Sequence, residues 1–381
     1  MSTPEPTLVA AGDEVRTYIR NRIGFIELNR PQALNALSLP MIRTMHAALD
    51  AWRSDPGVAA VVVHSPHPRA FCAGGDVRYF YETARRGDLA ARDAFFIEEY
   101  ALDHAIFTYE KPYIALMNGI VMGGGMGISQ GAYRTKGVRV VTGSTKMAMP
   151  ETRIGLFPDV GASWFLARTP GAIGRYLAVT GATIDAADAL YARLADAYLD
   201  DADLPALIDA LTGEPLRDGD DAVARVLHAA RSNVGRAPHE AQESQLAATR
   251  SWIDQHFGQP DVAAILASLQ SEQREHAREW AEEVIGIMRE RCSPLSMAVS
   301  LEVVARAEGS MAECLRRDLD LTRSIFESGD VIEGVRARII DKDNRPAWRI
   351  GRIEDVTRAD VERMFVSPWS AAGHPLRALR G

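Results

Sequence analysis

The 381-residue sequence predicts an α/β protein in which a core of strands and helices is followed by a helical C-terminal region. Two runs near the N-terminus alternate apolar and polar residues, and short continuous apolar runs then alternate with helical periods as far as residue 202. Beyond this point Ala, Glu, Arg and Leu recur at helical spacing without a strand-like run. We therefore expect a loose tail over residues 1–14, a β/α core over 15–202 and a helical region over 203–381.

The first elements of the core are a hairpin, a helix and a buried strand. Residues 15–28, VRTYIRNRIGFIEL, alternate apolar and polar residues around a central Asn-Arg pair, which is typical of a β-hairpin with one buried face. Ser38 precedes apolar residues at helical spacing, so a helix is predicted to begin after this N-cap and to end before Pro56. The continuous apolar run Val58–Val63 predicts a strand that is buried on both faces.

The rest of the core repeats this order of helix and strand. An amphipathic helix is predicted around Phe95–Phe107, and the apolar segment KPYIALM after it predicts a strand that leads into glycines. GVRVVTGS predicts a further strand, and GAIGRYLAVTG and DAADALYARLADAYL predict two more helices. No segment recurs at a fixed period of about 20 to 50 residues, which disfavours the common solenoids.

Composition limits the classes of partner. The formal net charge of −8 disfavours binding to nucleic acid or to an anionic membrane, because both require a basic surface. Cys72, Cys292 and Cys314 are widely spaced and odd in number, so they predict neither a disulfide framework nor a zinc site. The N-terminus lacks the features of a targeting signal, and the longest apolar stretch, residues 113–128, is interrupted by Asn118 and glycines. We expect a soluble cytoplasmic protein that acts on a small molecule and binds no metal.

Two glycine-rich segments follow predicted strands: AFCAGGD at residues 70–76 and GIVMGGGMG at residues 119–127. Glycine after a buried strand lets main-chain N–H groups approach a ligand, since no Cβ stands in the way. One well-placed donor to a developing oxyanion contributes roughly 3–4 kcal/mol, so two such segments could stabilise an oxyanion without a reactive side chain. The alternative is that these glycines only form tight turns or close strand–helix contacts.

A pair of acids lies among apolar residues in MPETRIGLFPDVGAS, where Glu151 and Asp159 occur. One continuous helix would separate them by roughly 12 Å along its axis, but Gly155 and Pro158 make such a helix improbable. A bend there would bring both carboxyls into one apolar pocket, where burial raises one pKa and the pair divides acid and base roles. The alternative assigns one acid to a helix cap and the other to a turn.

Two further patterns carry weaker signals. Glu98 and Glu99 lie in a predicted helix with apolar neighbours, so either one acid points inward or both lie on a solvated face. Residues 127–131, GISQG, match the G-x-S-x-G nucleophile elbow of α/β-hydrolases. The later histidines occur in helical, polar stretches, whereas the triad histidine follows a late strand, and this disfavours a serine hydrolase.

Four motifs together, NRPQALNALS, AFCAGGDV, KPYIALMNGIVMGGGMG and MPETRIGLFPDVGAS, resemble the crotonase (enoyl-CoA hydratase/isomerase) superfamily in order and spacing. EGVRARIIDKDNRPAW near the C-terminus is similar to the 3-hydroxyisobutyryl-CoA hydrolase branch. The resemblance implies a spiral core of β-β-α units and an acyl-CoA thioester whose carbonyl oxygen lies between two main-chain N–H groups. Matching the motifs places these oxyanion-hole donors at Ala73 and Gly124. The further substrate-binding residues that the resemblance implies are Gly74, Gly75, Asp76, Glu99 and Lys342.

Two departures from the hydratase pattern select the branch. The first of the two hydratase glutamates would fall at Gly127, which leaves Glu151 alone, and Asp159 occupies a position that is glycine in typical hydratases. The resemblance therefore implies hydrolysis of a short 3-hydroxyacyl-CoA thioester, as in valine breakdown, with Glu151 as nucleophile or base and Asp159 assisting. No cofactor is implied, because CoA is part of the substrate. A hydratase or isomerase with altered acids, a non-catalytic acyl-CoA binding protein, and a homo-oligomeric state all stay open.

Overall fold

The computed structural model divides the chain into two units, each assembled from separate segments of the sequence. The structure describes residues 7–12, 14–232 and 244–380. The first unit comprises residues 1–75, 101–147 and 184–244, and the second comprises residues 76–100, 148–183 and 245–381. This division differs from the predicted boundary at 202–203, because each unit takes helices from both sides of that point.

The strands form two sheets. They are β1 (Thr7–Gly12), β2 (Val15–Arg20), β3 (Ile23–Leu28), β4 (Ala60–His64), β5 (Ala70–Cys72), β6 (Tyr113–Met117), β7 (Ile120–Met122), β8 (Val138–Val141), β9 (Lys146–Ala148) and β10 (Ala197–Tyr198). The larger sheet has the order β1-β2-β3-β4-β6-β8-β10 and the smaller has the order β5-β7-β9. Pairing in the larger sheet is antiparallel from β1 to β3 and parallel from β3 to β10.

The helices begin after β3, and they separate and follow the later strands. They are α1 (Leu39–Arg53), α2 (Val77–Arg85), α3 (Leu89–Phe107), α4 (Gly124–Gln130), α5 (Ala162–Leu166), α6 (Ile173–Thr180), α7 (Ala186–Tyr191), α8 (Leu204–Gly213), α9 (Gly219–Ser232), α10 (Gln245–Phe257), α11 (Val262–Gln270), α12 (Glu275–Arg291), α13 (Pro294–Ala305), α14 (Met311–Ser328), α15 (Asp330–Val335) and α16 (Arg358–Met364). The N-cap predicted for the first helix is confirmed, since Ser38 Oγ accepts from the main-chain N–H of Met41.

The predicted hairpin is confirmed. β2 and β3 pair antiparallel, beginning with Val15 opposite Leu28. Asn21 and Arg22 join them with φ values of +50° and +62°, the left-handed values that a two-residue type I′ turn requires. The structure also places β1 within the predicted loose tail, where it pairs with β2. This pairing satisfies main-chain groups that the edge of β2 would otherwise expose.

The centre of the larger sheet is buried, as the continuous apolar runs predict. Every residue of β6 and β8 is buried, which is the expected state of parallel strands covered on both faces. Leu207 and Leu211 of α8 and Val226 of α9 share one apolar core with Phe25 and Ile114 of the sheet. This packing explains why helices beyond residue 203 belong to the first unit.

The smaller sheet determines where the two glycine-rich segments lie. β5 and β7 pair in parallel, so their C-terminal ends reach the same edge of the sheet. β5 continues directly into Ala73, and β7 continues through Gly123 into α4. The register of two short strands therefore brings the two segments side by side.

In the second unit, two glycines allow α15 to lie directly against the turn that carries Glu151. A Cβ at Gly155 would lie 2.5 Å from the main chain of Asp330, and a Cβ at Gly334 would lie 2.5 Å from the main chain of Ile154. Gly155 also adopts φ +73°, which a side chain would disfavour. Both positions require glycine because two main chains approach each other there.

The described residues contain neither a membrane-spanning helix nor a metal-binding cluster. None of the helices described is both long enough and apolar enough to cross a lipid bilayer. Within the same residues, no group of three or more His, Cys, Asp or Glu side chains is arranged to hold a metal ion.

Candidate active site

The glycine-rich segments of the first unit lie in direct contact. Gly74 has φ +102°, and a Cβ there would lie 3.1 Å from the carbonyl oxygen of Met122 and 3.6 Å from the main-chain nitrogen of Gly124. Gly123, with φ +49°, precedes the first residue of α4. A side chain at Gly74 would therefore occupy the space beside the start of α4.

The structure corrects the predicted donor at Ala73. The N–H of Ala73 donates to the carbonyl oxygen of Leu34 at 3.0 Å, so it is already engaged within the fold. In residues 14–232 and 244–380, no hydrogen-bond acceptor lies against the N–H of Gly75 or of Gly124. The N–H groups of Gly75 and Gly124 are therefore free to bind a ligand, whereas that of Ala73 is not, and the sequence does not show this because it does not show the orientation of the peptide planes.

A buried asparagine fixes the first of these segments. The Asn35 side-chain amide donates to the carbonyl oxygens of Ala70 and Phe71 at 3.2 and 3.0 Å, and to Ser65 Oγ at 2.8 Å. Asn35 is fully buried with φ +56°. The motif NRPQALNALS, singled out from the sequence, thus has a defined local purpose: it holds the end of β5 and the glycines after it.

The alternative interpretation, in which glycines serve close packing, holds for other members of the same clusters. A Cβ at Gly125 would lie 2.5 Å from the carbonyl oxygen of Cys72. Ser129 is fully buried inside α4 and donates to the carbonyl oxygen of Gly125 at 2.8 Å. Ser129 therefore lies within a helix rather than on an exposed strand-to-helix turn, and the disfavoured serine-hydrolase interpretation is not supported.

The bend predicted between the two acids is observed in the second unit. Glu151 begins a single 3₁₀ turn, Glu151–Ile154, and the left-handed Gly155 ends it. The N–H of Leu156 then donates back to the carbonyl oxygen of Glu151 at 3.0 Å. Only 6% of Glu151 and 5% of Asp159 is exposed, so both carboxyls are buried. Neither residue is a solvated helix cap.

The environments of the two carboxyls differ. Tyr100 Oη donates to Asp159 Oδ2 at 2.7 Å. Burial raises the pKa of Asp159 to about 6, against the opposing effect of this hydrogen bond. The pKa of Glu151 is raised well above its usual range, mainly by burial and to a smaller extent by the nearby charge of Asp159. Glu151 Oε2 is buried without a hydrogen-bond partner among the described residues. Of the two acids, Asp159 is therefore the better stabilised carboxylate.

A third buried acid, Asp318 of α14, was missed by the sequence analysis. It is completely buried, and its Oδ2 accepts from the N–H of Gly161 at 2.9 Å. Burial raises its pKa to about 8. A signal was present: Asp318 falls on the helix face that also buries Cys314, Leu315 and Thr322, where an acid is unusual.

The remaining predicted residues have distinct surroundings. Glu99 is 2% exposed, so the expectation that one acid of the Glu98-Glu99 pair points inward is confirmed. Asp76 caps α2 by accepting from the N–H of Tyr79 at 3.2 Å. Lys342 is exposed with φ +58°, outside the buried acid cluster.

The acids on either side of Lys342 have another cation as partner. Arg336 contacts both Asp341 and Asp343 at 2.7 Å. The ammonium group of Lys342 is therefore not committed to its sequence neighbours.

A protein-family model described as enoyl-CoA hydratase/isomerase matches residues 23–365. The 3-hydroxyisobutyryl-CoA hydrolase, mitochondrial, of Rattus norvegicus is 37% identical over 358 residues, covering 93% of this chain and 89% of the relative. The 3-hydroxyisobutyryl-CoA hydrolase 1 of Arabidopsis thaliana is 34% identical over 363 residues, covering 94% of this chain and 92% of the relative. Because the rat relative is named as mitochondrial, the cytoplasmic location stays a prediction.

Two solved structures are similar over nearly the whole chain. A carnitinyl-CoA dehydratase from Mycobacterium thermoresistibile has a TM-score of 0.82 and 37% identity, covering 93% of this chain and 97% of that one. An enoyl-CoA hydratase from Rhodobacter sphaeroides has a TM-score of 0.80 and 36% identity, covering 93% and 98%. These likenesses confirm the predicted crotonase-like α/β fold.

Proposed function

Because the chain belongs to the enoyl-CoA hydratase/isomerase family, we propose that it hydrolyses a short 3-hydroxyacyl-CoA, namely 3-hydroxyisobutyryl-CoA. Water is consumed, the C–S bond breaks, and 3-hydroxyisobutyrate and free CoA are released. This reaction is a step of valine breakdown. The curated relatives of rat and Arabidopsis carry the name of this activity at 37% and 34% identity.

The acid set is the observation that carries the proposal. Addition of water across a double bond in the hydratase manner uses two glutamates, and one of these positions is Gly127, which lies buried in α4 and has no carboxyl. The acids present instead are Glu151 and Asp159, both buried and with raised pKa values. Such a pair suits attack on a thioester carbonyl, where one group supplies the anion and the other supplies a proton.

Each group has a defined role. The N–H groups of Gly75 and Gly124 bind the thioester oxygen and stabilise the oxyanion, at roughly 3–4 kcal/mol for one donor. Glu151 acts as a carboxylate, either attacking the carbonyl carbon or taking a proton from the attacking water. Asp159, in its protonated form, delivers a proton to the departing thiolate. In the nucleophilic route, water then cleaves the mixed anhydride of Glu151 and Asp159 takes a proton from that water. In both routes the pair ends with as many protons as it had at the start.

The remaining predicted residues bind the rest of the substrate. Glu99 contacts the acyl portion, and Gly74 leaves the space that the thioester needs. Asp76 contributes by fixing the start of α2 immediately after Gly75.

Lys342 contacts a phosphate of CoA, so Lys342→Ala is expected to raise KM for the full CoA ester and not for the matching pantetheine ester. No metal or redox cofactor takes part.

Thiol release tests the proposal directly. With (S)-3-hydroxyisobutyryl-CoA, free thiol detected by a disulfide reagent should appear at the rate of substrate loss. Asp159→Gly should lower kcat by about 10²–10⁴-fold if Asp159 is the general acid. Absence of thiol release from the wild-type protein, across a panel of short acyl-CoA esters, would refute the hydrolase assignment.

The names of the two solved structures favour a second candidate, hydration or dehydration of an enoyl-CoA. Crotonyl-CoA distinguishes the two reactions, because hydration removes the absorbance of the enoyl thioester without releasing thiol. We expect little loss of this absorbance. Rapid loss that is unaffected in Asp159→Gly would establish the hydratase and make the argument from Gly127 wrong.

A further inference from the structure

The turn that carries Asp159 is strained. Val160, the next residue, has φ +53°, a left-handed value that a β-branched side chain strongly disfavours. Only 2% of Val160 is exposed, and Gly161 continues in the same region with φ +74°. A conformation of this kind persists only where the surroundings impose it, and such sites cluster where function needs a fixed geometry.

Helix α14 imposes this conformation from two sides. Asp318 Oδ2 accepts from the N–H of Gly161 at 2.9 Å. Met311, the first residue of the same helix, lies so close to Gly161 that a Cβ on Gly161 would meet the Sδ of Met311. On the other side of Asp159, Tyr100 Oη donates to Oδ2 at 2.7 Å. The Asp159 carboxyl is thus held by Tyr100, and its main chain is held through Gly161.

Stability alone does not account for Asp318. Its side chain is completely buried, and Oδ1 has no hydrogen-bond partner among the described residues. A buried polar oxygen without a partner is destabilising, and an apolar residue of similar volume avoids that cost. The position nevertheless carries an acid, which points to a requirement at the turn.

We propose that Asp318 is a positioning residue for the hydrolysis, which holds the strained turn through Gly161 and so keeps the Asp159 carboxyl against Tyr100. Asp318 does not touch the reacting atoms. This inference rests on the proposed function for its kinetic consequence, but its structural consequence, the position and acidity of Asp159, can be measured without substrate.

The ionisation of Asp318 can be measured, and this distinguishes the proposed role from a purely structural one. Burial and the charge of Asp159 raise the pKa of Asp318 to about 8, and Arg317 opposes them. The pKa of Tyr100 is raised well above its usual range by burial and by the charges of Asp159, Asp318 and Glu99. Asp318 is therefore neutral at pH 7, and its ionisation above about pH 8 places a second negative charge beside Asp159.

Three variants at Asp318 and its helix test the proposal. Asp318→Leu removes the acceptor for the Gly161 N–H while keeping the branched shape of the side chain, and should lower kcat by about 10²-fold with little change in KM. Asp318→Asn keeps an acceptor oxygen, so kcat at pH 7 should stay within a few-fold of wild type while any decline of kcat near pH 8 disappears. Asp320→Asn on the same helix, where the carboxylate binds Ser367, is the matched control and should leave kcat unchanged.

A double variant tests whether Asp318 acts on Asp159 through the turn at Val160 and Gly161. Glycine adopts φ +53° without strain, so adding Val160→Gly to Asp318→Leu should restore several-fold of the lost kcat. Circular dichroism and thermal unfolding establish that each variant folds. If Asp318→Leu does not fold, the positioning role is tested by whether the decline of kcat near pH 8, the alkaline limb of the pH profile, disappears in Asp318→Asn. A folded Asp318→Leu with wild-type kcat, or an Asp318→Asn protein with an unchanged limb, would overturn the inference.

Failure of the proposed function is recognised separately. If the wild-type protein releases no thiol, the carboxyl ¹³C resonance of Asp159 can still be titrated in the ligand-free protein. Asp318→Leu should raise the pKa of Asp159, because loss of the fixed turn weakens the hydrogen bond from Tyr100. An unmoved Asp159 pKa in the folded variant would count against the positioning role, whatever reaction the enzyme catalyses.

Discussion

The glycine-rich segments of the first unit and the acid cluster of the second unit provide the groups of the proposed mechanism in opposite ways. The first offers main-chain N–H groups, at Gly75 and Gly124, that carry no titratable proton at neutral pH. The second offers Glu151, Asp159 and Asp318, which are buried and have raised pKa values. We therefore expect the glycine-rich segments to be sensitive to main-chain geometry and insensitive to pH. The acid cluster should respond to pH and to single-atom changes in side chains.

The largest effect is expected from Glu151→Gln, which keeps the shape of the side chain and removes the ionisable oxygen. Because Glu151 acts as a carboxylate in the proposed mechanism, kcat should fall by about 10³-fold or more while substrate binding and folding persist. Steady-state thiol release measures the loss, and circular dichroism is the control. Retention of more than about a tenth of kcat, a loss below roughly 1.4 kcal/mol, would remove Glu151 from the role of essential carboxylate.

The second largest effect is expected from Gly124→Pro, which tests the role of the main-chain N–H donors. Gly124→Pro deletes the N–H donor, yet Gly124 is the first residue of α4, a helix position where proline is tolerated. We expect kcat to fall by about 10²–10³-fold with an unchanged pH profile. Gly124→Ala retains the N–H and serves as the control. A folded and fully active Gly124→Pro protein would contradict the oxyanion role.

A smaller effect is expected from Tyr100→Phe, which removes the hydrogen bond to Asp159. That bond lowers the pKa of Asp159, so its loss should raise the pKa above about 6. The corresponding limb of the kcat profile should move to higher pH by about one to two units, because hydrogen bonds to charged groups contribute about 1.5–3 kcal/mol. Titration of kcat from pH 5 to 9 measures the shift, and a shift to lower pH would contradict this assignment.

The smallest effect concerns stability rather than turnover. In the folded protein the pKa of Asp318 is about 8, above the usual 3.8. The unfolded chain therefore releases this proton at lower pH, and the stability contribution of Asp318 is complete below its usual pKa and is lost as pH rises toward 8. Chemical unfolding should show that Asp318→Asn gains stability relative to wild type between about pH 4 and 8, with no further gain above that range. A constant difference would show that Asp318 is ionised throughout.

How much could be predicted from the sequence differs between the same two regions. Elements coded by local periodicity, such as the hairpin with its Asn21-Arg22 turn, were predicted correctly. The bend between Glu151 and Asp159 was also predicted, because Gly155 and Pro158 lie between them in the chain. These features depend on residues that are close in sequence.

Features set by distant contacts were not predicted. Tyr100 and Asp318 meet the Asp159 turn from 59 and 157 residues away, and no local pattern encodes such pairs. The sequence analysis places a donor at Ala73 rather than at Gly75. The direction of an N–H depends on dihedral angles, such as the φ of +102° at Gly74, which the sequence does not show. The division of the chain failed for a related reason: apolar residues of α8 and α9 specify a buried face, and only the fold shows which partner buries it.

The distance in sequence between Gly161 and Asp318 also has a consequence for biosynthesis. A nascent chain that has left the ribosome as far as residue 310 already contains Tyr100, Glu151 and Asp159, but not the helix that holds the Asp159 turn. Contacts of such long range form slowly during folding. If Asp318 has the role proposed above, a chain terminated before α14 would contain both catalytic carboxyls and hydrolyse almost nothing. Emergence of α14, rather than emergence of the catalytic residues, would then set the earliest moment at which the protein can become active.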